Sequence, residues 1–304
     1  MTVSECFTAK GCFFVKILIT GEKGYIANAV KNWFADRDPR VTVDLLSLRG
    51  DSWRDFDLSP YDTVIHTAAL VHKNQKNFTM EDYRRINRDL TLEFARKARD
   101  QGVSQFVFFS TIAVYGYEES CFHATEITAS TPLLPKSKYG ISKYEAEQGL
   151  EALASPDFLV TILRPPFVYG RGCPGNYSSL RKLTLKFGII PRLPNKKSMI
   201  CIENLCQCVY EVCVRRLGGI VCPQNERIVS TYEMAQLICR AHGKKALCTP
   251  LINPFVKLAS LGTRKLRVAF GNGFYSEALT DSQLDRAAYN VVDFETSVLN
   301  AEKP

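Results

Sequence analysis

The chain has 304 residues, 46% hydrophobic and 23% charged, enough apolar surface to bury a substantial core in one large or two moderate domains at ~150 residues each. Ordinary counts of 18 Gly and 14 Pro exclude a disordered or fibrous chain, and no stretch approaches the ~18 uninterrupted apolar residues of a membrane helix, so a soluble protein without a membrane partner is expected. The net charge of +8 sits largely in one segment without the interleaved aromatics of a nucleic-acid module, so no nucleic-acid partner is expected.

Residues 1–14 read as an extension. The apolar groups around Cys12–Val15 and Ile17–Ile19 resemble a signal-peptide core, but Lys16 interrupts them and no small-residue cleavage site follows. Lys16–Thr20 is a first strand, and Ile26, Val30 and Phe34 follow at helical spacing. Further strands are predicted at Val41–Leu48, Thr63–Ala69, Gln105–Thr111 and Leu159–Leu163, the third of these fully apolar as buried parallel strands tend to be. Tyr83, Ile86, Leu90 and Phe94 mark one face of a long helix ending near Gly102, and Tyr139–Leu153 is helical again. The alternation predicts an α/β fold, a doubly wound parallel sheet of Rossmann type.

After Pro165-Pro166 the elements shorten, with helices around Ser178–Phe187, Glu203–Arg216, Thr231–His242 and Asp293–Ala301. The expected division is a dinucleotide-binding domain over 15–166 and a smaller substrate-binding region over 167–304, partly interleaved with it. Between Asp157 and Glu203 there is no acid, while Arg164, Arg171, Arg181, Lys182, Lys186, Arg192, Lys196 and Lys197 supply eight positive charges, equal to the whole excess. This stretch is either a solvated basic face or a site for a small dianionic ligand.

Thr20-Gly21-Glu22-Lys23-Gly24-Tyr25-Ile26-Ala27 falls where the first strand becomes a helix. Gly21 permits a tight turn, Gly24 lets the backbone approach a pyrophosphate at the helix N-terminus, and Ala27 allows close helix packing. Such a turn also occurs in ordinary strand–helix connections. In Tyr139-Gly140-Ile141-Ser142-Lys143 the i, i+4 spacing puts a phenol and an ammonium on one helical face. The cation favours phenolate and would lower the Tyr139 pKa, making it an acid/base candidate for an alcohol proton. Thr111 offers a hydroxyl at the C-terminal edge of a strand, where open α/β sheets bind ligands.

Taken in order, these motifs resemble the extended short-chain dehydrogenases/reductases, in particular the NAD-dependent epimerase/dehydratase family and its UDP-glucose 4-epimerase-like members. The likeness runs from about Lys16 to the C-terminus. It includes His66-Thr67-Ala68-Ala69, the helix residue Asn87, Ser110-Thr111-Ile112-Ala113-Val114-Tyr115-Gly116, and Leu163-Arg164-Pro165-Pro166-Phe167-Val168-Tyr169-Gly170. The resemblance implies NAD held by Gly21, Gly24, Tyr25, Ile26, Ala68, Ala69, Tyr139, Lys143 and Pro165, and a nucleoside-diphosphate sugar contacted by Thr111, Asn176 and Lys197. It further implies catalysis by Thr111, Tyr139 and Lys143: Tyr139 takes the sugar 4-hydroxyl proton as hydride leaves C4, Thr111 bonds the same oxygen, and Lys143 binds ribose. A cytoplasmic homodimer would follow.

The second strand ends without the acid that NAD-specific members use for ribose; Arg49 stands there instead and keeps NADP as the alternative cofactor. The link from Arg49 to Asp62 is too short for the usual third strand and helix. The expected activity is C4 epimerisation of a UDP-hexose, with a 4-keto-sugar-nucleotide reductase as the alternative and a non-catalytic cofactor sensor as the reading outside enzymes. A 4,6-dehydratase is disfavoured because Ile112 and Ala113, where dehydratases carry an Asp-Glu pair, transfer no protons. No metal site is expected. Cys201, Cys206, Cys208 and Cys213 lack ligand spacing and read as buried apolar residues, as the odd count of 11 Cys suits a reducing cytoplasm. His66, His72, His123 and His242 are scattered, His66 as a core residue, and Arg264, Lys265 and Arg267 read as a solvated face.

Overall fold

The computed structural model describes residues 15–71, 78–117 and 119–303. The expected N-terminal extension and His72 lie outside the described residues. The chain divides into two compact units: Met1–Val114 with Lys136–Arg164 and Cys206–Val221, and Tyr115–Pro135 with Pro165–Leu205 and Cys222–Pro304. The expected domain limits are corrected accordingly. Residues 115–135 belong with the second unit, and 206–221 return to the first, where they supply an edge strand.

The first unit is built on six parallel strands: β1 (Val15–Thr20), β2 (Val41–Leu46), β3 (Thr63–His66), β4 (Gln105–Phe109), β5 (Leu159–Leu163) and β6 (Gly219–Val221), in the order β6-β5-β4-β3-β1-β2. β6 escapes sequence reading because three residues cannot display a period; it is held by pairing Ile220 with Ile162. Every residue of β3 and β4 is buried, the pattern of strands covered on both faces. Helix α1 (Tyr25–Arg37) buries Ala27, Val30 and Phe34. The long helix expected around Tyr83–Phe94 is three pieces: α2 (Met80–Arg84), a π-helical turn at Arg85–Asp89, and α3 (Leu90–Asp100). Thr79 and Asp82 form the capping box that starts it. Helix α4 (Lys138–Glu151) is capped by the Ser137 side chain, which accepts from the Gly140 amide.

Between β2 and β3 the chain makes a short 3-10 turn, Ser52–Arg54, whose Trp53 joins Leu18, Phe94, Phe106, Phe108 and Phe158 in the core. The short link thus contributes packing rather than a further strand, and each such ring stabilises the sheet by roughly 1.5–3 kcal/mol. β1 has β2 on one side and β3 on the other, so the strand order reverses beside β1. Ligands of open α/β sheets bind at the C-terminal ends of the strands flanking such a reversal.

The second unit contains three parallel strand pairs: 126–127 with 274–275, 167–169 with 199–201, and 189–191 with 247–249. Among its helices are α5 (Asn176–Phe187), α6 (Ile202–Val214, which continues into the first unit), α7 (Thr231–Ala241), α8 (Asn253–Gly262), α9 (Arg264–Phe270) and α10 (Phe294–Ala301). α8 and α9 were not anticipated from the sequence. Among the described residues no helix is long and apolar enough to cross a membrane.

Candidate active site

The turn after β1 is shaped by two glycines. Gly21 has φ +93°, and a Cβ there would lie 2.7 Å from Thr67 Oγ1; one on Gly24 would lie 2.9 Å from the Gly21 carbonyl oxygen. Neither position accepts a side chain without displacement. Gly24 is the N-cap of α1, makes no side-chain cap, and is followed by a first turn without acidic residues. The first amides of α1 and the positive end of its dipole are thereby presented to an anion. Tyr25 and Ile26 are half-buried in that first turn. This cradle fits the pyrophosphate of a dinucleotide. Ala68 and Ala69 follow β3, both half-buried, and Arg49 is exposed in the loop after β2.

Behind the turn lies a continuous buried hydrogen-bond chain. Thr91 Oγ1 donates to the Asn87 carbonyl at 2.9 Å, so its oxygen accepts from His66 Nε2 at 3.0 Å. That tautomer leaves His66 Nδ1 to accept from Thr20 Oγ1 at 3.0 Å. Burial, with the charge of Lys143 adding to it, pushes His66 down to about 3, so the ring is neutral across the working range, in keeping with its reading as a satisfied core residue. Asn87, in the π-helical turn, donates to the Leu70 carbonyl (3.1 Å) and to Ser142 Oγ (3.0 Å) and accepts from the Leu70 amide (2.7 Å). Ser142 Oγ donates in turn to the Tyr139 carbonyl at 2.9 Å. Every polar atom of the Asn87 side chain is used, and the π turn is what aims it at α4.

On α4, Tyr139 and Lys143 stand one turn apart. Lys143 is 1% exposed, donates to the Phe109 carbonyl at 2.7 Å and lies 4.3 Å from the Phe108 ring centroid. Burial lowers its ammonium to about 7 against the opposing pull of Glu147. Burial also raises the Tyr139 phenol, and Tyr83 adds to the rise. The expectation that Lys143 would hold Tyr139 below its ordinary value is therefore corrected, because loss of water outweighs a neighbouring cation. Thr111 is half-buried at the end of β4; its Oγ1 accepts from the Ala113 amide at 3.2 Å and keeps its proton to donate. A Cβ at Gly140 would lie 2.8 Å from the Ala113 carbonyl oxygen. Gly140 thus allows α4 to approach the Thr111 turn, a role that the Tyr/Lys spacing alone did not reveal.

Glu147, one turn beyond Lys143, was also missed. Its carboxylate accepts from Ser110 Oγ and from Arg164 through Nε (3.1 Å) and Nη2 (2.7 Å), all buried. It ties α4 to the strand ends beside Thr111. Arg164 therefore leaves the supposed anion-binding run, and two more of its members are matched: Arg181 Nε with Glu302 at 2.6 Å, and Lys197 Nζ with Glu119 at 2.8 Å. Three of the eight charges that look uncompensated along the chain thus meet acids from distant segments, whereas Lys182, Lys186 and Arg192 are exposed.

In the second unit, Asn176 is exposed at the first turn of α5 and Pro165 is buried. Lys197 is buried and also donates to the Val268 carbonyl, so its charge is engaged within the fold. A cavity of about 770 Å³ is lined by Arg171, Cys173, Tyr177, Arg181, His242 and Glu302; it takes in two members of the basic run but none of the residues expected to contact cofactor or substrate. Cys201, Cys206, Cys208 and Cys213 are all buried. Of the basic triplet read as a solvated face, Arg264 and Lys265 are exposed, whereas Arg267 donates to the Ser260 and Leu261 carbonyls at the end of α8.

Comparison with known proteins agrees with this geometry. A curated UDP-glucose 4-epimerase of Vibrio cholerae is 29% identical over 246 residues, 77% of this chain and 73% of its own length. The crystal structure of UDP-glucuronic acid 4-epimerase from Bacillus cereus in complex with NAD superposes with a TM-score of 0.69 at 15% identity, covering 95% of this chain and 97% of that one. A dTDP-4-dehydrorhamnose reductase from Clostridium acetobutylicum gives 0.61 at 22% identity over 77% of this chain and 83% of its own. The two structures speak for the fold. The family description "NAD dependent epimerase/dehydratase family" matches residues 17–187, which takes in the glycine turn, Asn87, Thr111 and the Tyr139–Lys143 pair, and the chain belongs to that family.

Proposed function

We propose that this protein is an NAD-dependent nucleotide-sugar 4-epimerase acting on a UDP-hexose. The observation that carries the reading is Lys143, withdrawn from water and bonded to the last carbonyl of β4, with the Thr111 hydroxyl two residues beyond that strand and the Tyr139 phenol one turn back on the helix. Gly21, Gly24, Tyr25 and Ile26 would hold the cofactor pyrophosphate, with Ala68, Ala69, Arg49 and Pro165 further along it. When bound, NAD supplies the acceptor and returning donor of the hydride at sugar C4.

The protein's own share is proton handling and orientation. Tyr139 takes the proton of the 4-hydroxyl and later returns it, and Thr111 donates to the same oxygen. Lys143, protonated below about pH 7, binds ribose and stabilises negative charge arising on the phenol. Asn176 is the nominated substrate contact with an exposed side chain, whereas the bond to Glu119 makes Lys197 a support of the fold rather than a phosphate ligand. Ile112 and Ala113, in the 3-10 turn after Thr111, leave C5 and C6 without proton carriers, which disfavours dehydration. The same reading takes the enzyme to be a cytoplasmic homodimer with no nucleic-acid partner, and the buried thiols suit a reducing compartment.

Purified protein with catalytic NAD should interconvert a UDP-hexose and its C4 epimer with no net absorbance of reduced cofactor. Stoichiometric oxidation of NADH or NADPH by a 4-keto sugar, without epimer from any UDP-hexose, would assign the reductase instead. Titration with NADP, alone and with Arg49→Ala, settles which dinucleotide is preferred.

A further inference from the structure

Helix α8 carries its apolar residues on the wrong side for a core. Leu251, just before it, and Phe255, Leu258 and Leu261 are 80%, 73%, 68% and 65% exposed. At about 100° per residue they occupy about a third of the helical circumference. The opposite side faces inward: Ser260 is buried, and Val256 packs with Cys121, Leu193 and Phe270. Single exposed apolar residues are ordinary, but a stripe at helical spacing marks a contact surface.

The charge around the stripe indicates what it contacts. From Glu233 to Glu277 the sequence has no acid and seven cations: Arg240, Lys244, Lys245, Lys257, Arg264, Lys265 and Arg267. Strand 247–249 pairs with 189–191, setting exposed Leu247 beside exposed Ile189. That pairing places this acid-free stretch against the earlier one, with Lys182, Lys186, Phe187 and Arg192 exposed on it. Arg240 pairs with Glu295 and Arg267 holds the end of α8, whereas Lys245 and Lys265 are exposed and Lys257 lies 5.7 Å from the centroid of the exposed Phe122 ring.

A second copy of the chain meeting this face across a two-fold axis would set cations chiefly against cations, the exposed Glu295 being already paired with Arg240. A bilayer bearing anionic headgroups answers both features at once, attracting the cations and receiving the apolar stripe at the acyl boundary. We propose that α8 and its cationic frame form a docking surface for an anionic lipid bilayer, with Leu251, Phe255, Leu258 and Leu261 entering the headgroup region. The expectation of no membrane partner rested on spanning length, which a helix lying in the interface does not need. The inference is independent of the proposed activity.

Full-length protein should co-sediment with phosphatidylcholine vesicles containing phosphatidylglycerol and not with phosphatidylcholine alone. Phe255→Ser/Leu258→Ser should weaken that binding by at least about tenfold, and Lys245→Glu/Lys265→Glu should weaken it by a similar factor at low salt. Both variants should keep the wild-type melting temperature, and the exposed charge pair provides the test if the first variant is unstable. Failure to bind the anionic vesicles, equal binding to neutral ones, or binding untouched by both variants would overturn the proposal. Self-association abolished by Phe255→Ser/Leu258→Ser, with the vesicles ignored, would overturn it in favour of a second copy.

Discussion

In the first unit a chain of neutral buried groups runs from Thr20 through His66, Thr91 and Asn87 to Ser142 and ends on the Tyr139 carbonyl, each donor matched to an acceptor. The second has a neutral network of its own, from Asn204 through Asn225 and Tyr169 to Ser297, but beside it stand charged clusters. Glu302 accepts from Tyr177 at 2.5 Å, Arg181 at 2.6 Å and His242 at 2.7 Å, while Lys197 answers Glu119. Neutral bonds need little desolvation and fix direction without depending on pH, so they suit the positioning of a reacting helix. Buried charges depend on each partner, and removing one exposes the cost of the other. Glu147–Arg164 brings the charged arrangement into the first unit, next to Lys143, where a tuned ammonium has a use.

The comparison breaks most sharply at Tyr139. Tyr139→Phe keeps the helix and should lower turnover by roughly 10²–10⁴-fold with unchanged melting temperature; near wild-type turnover on a proven substrate would remove the phenol from the mechanism. Next is Lys143→Met. The folded ammonium titrates at about 7 rather than its ordinary 10.5, so between those values the unfolded chain holds more protons and wild-type stability rises with pH. The variant lacks this gain, so its stability relative to wild type should be greatest at or below pH 7 and fall by up to about 1.4 kcal/mol per pH unit toward pH 10.5. Denaturant midpoints of both proteins across that range measure it, and a constant difference would deny the buried titration.

In the second unit, Glu302→Gln leaves Arg181 without its counter-charge. Because Arg181 is more than a third exposed, the loss should be about 2 kcal/mol rather than the full penalty of a buried pair. NAD affinity should be unchanged in the same variant. The smallest effect is expected from Thr20→Val, which deprives His66 Nδ1 of its donor: about 1 kcal/mol of stability, read from urea midpoints. A Thr20→Val loss equal to that of Glu302→Gln would erase the distinction between the two kinds of interior.

Much of the first unit was legible because its signals are local. The five longer strands, the glycine turn and the i, i+4 Tyr139–Lys143 pair lie within windows where periodicity and spacing act. β6 was too short to announce itself, and the π turn at Asn87 leaves no mark in the regular spacing of Tyr83, Ile86, Leu90 and Phe94. The direction of the Tyr139 shift was misread because spacing shows the cation and not the loss of water around both groups. In the second unit α8 was overlooked, since apolar spacing predicts a helix by the core it would face, and this stripe faces out.

By itself the sequence determined the alternation of strands and helices, the cradle made by Gly21 and Gly24, and the residues that stand on α4. These depend on backbone preferences and on neighbours within a few positions. Only the tertiary structure decided which acids meet which cations: Glu147 with Arg164 across 17 positions, Glu119 with Lys197 across 78, and Glu302 with Arg181 across 121. Coulomb attraction depends on distance through space, and a charge count along the chain contains no such distances. The same limit explains why the acid-free run, read as either a solvated face or an anion site, holds buried ion pairs at Arg164 and Lys197 and exposed cations at Lys182, Lys186 and Arg192.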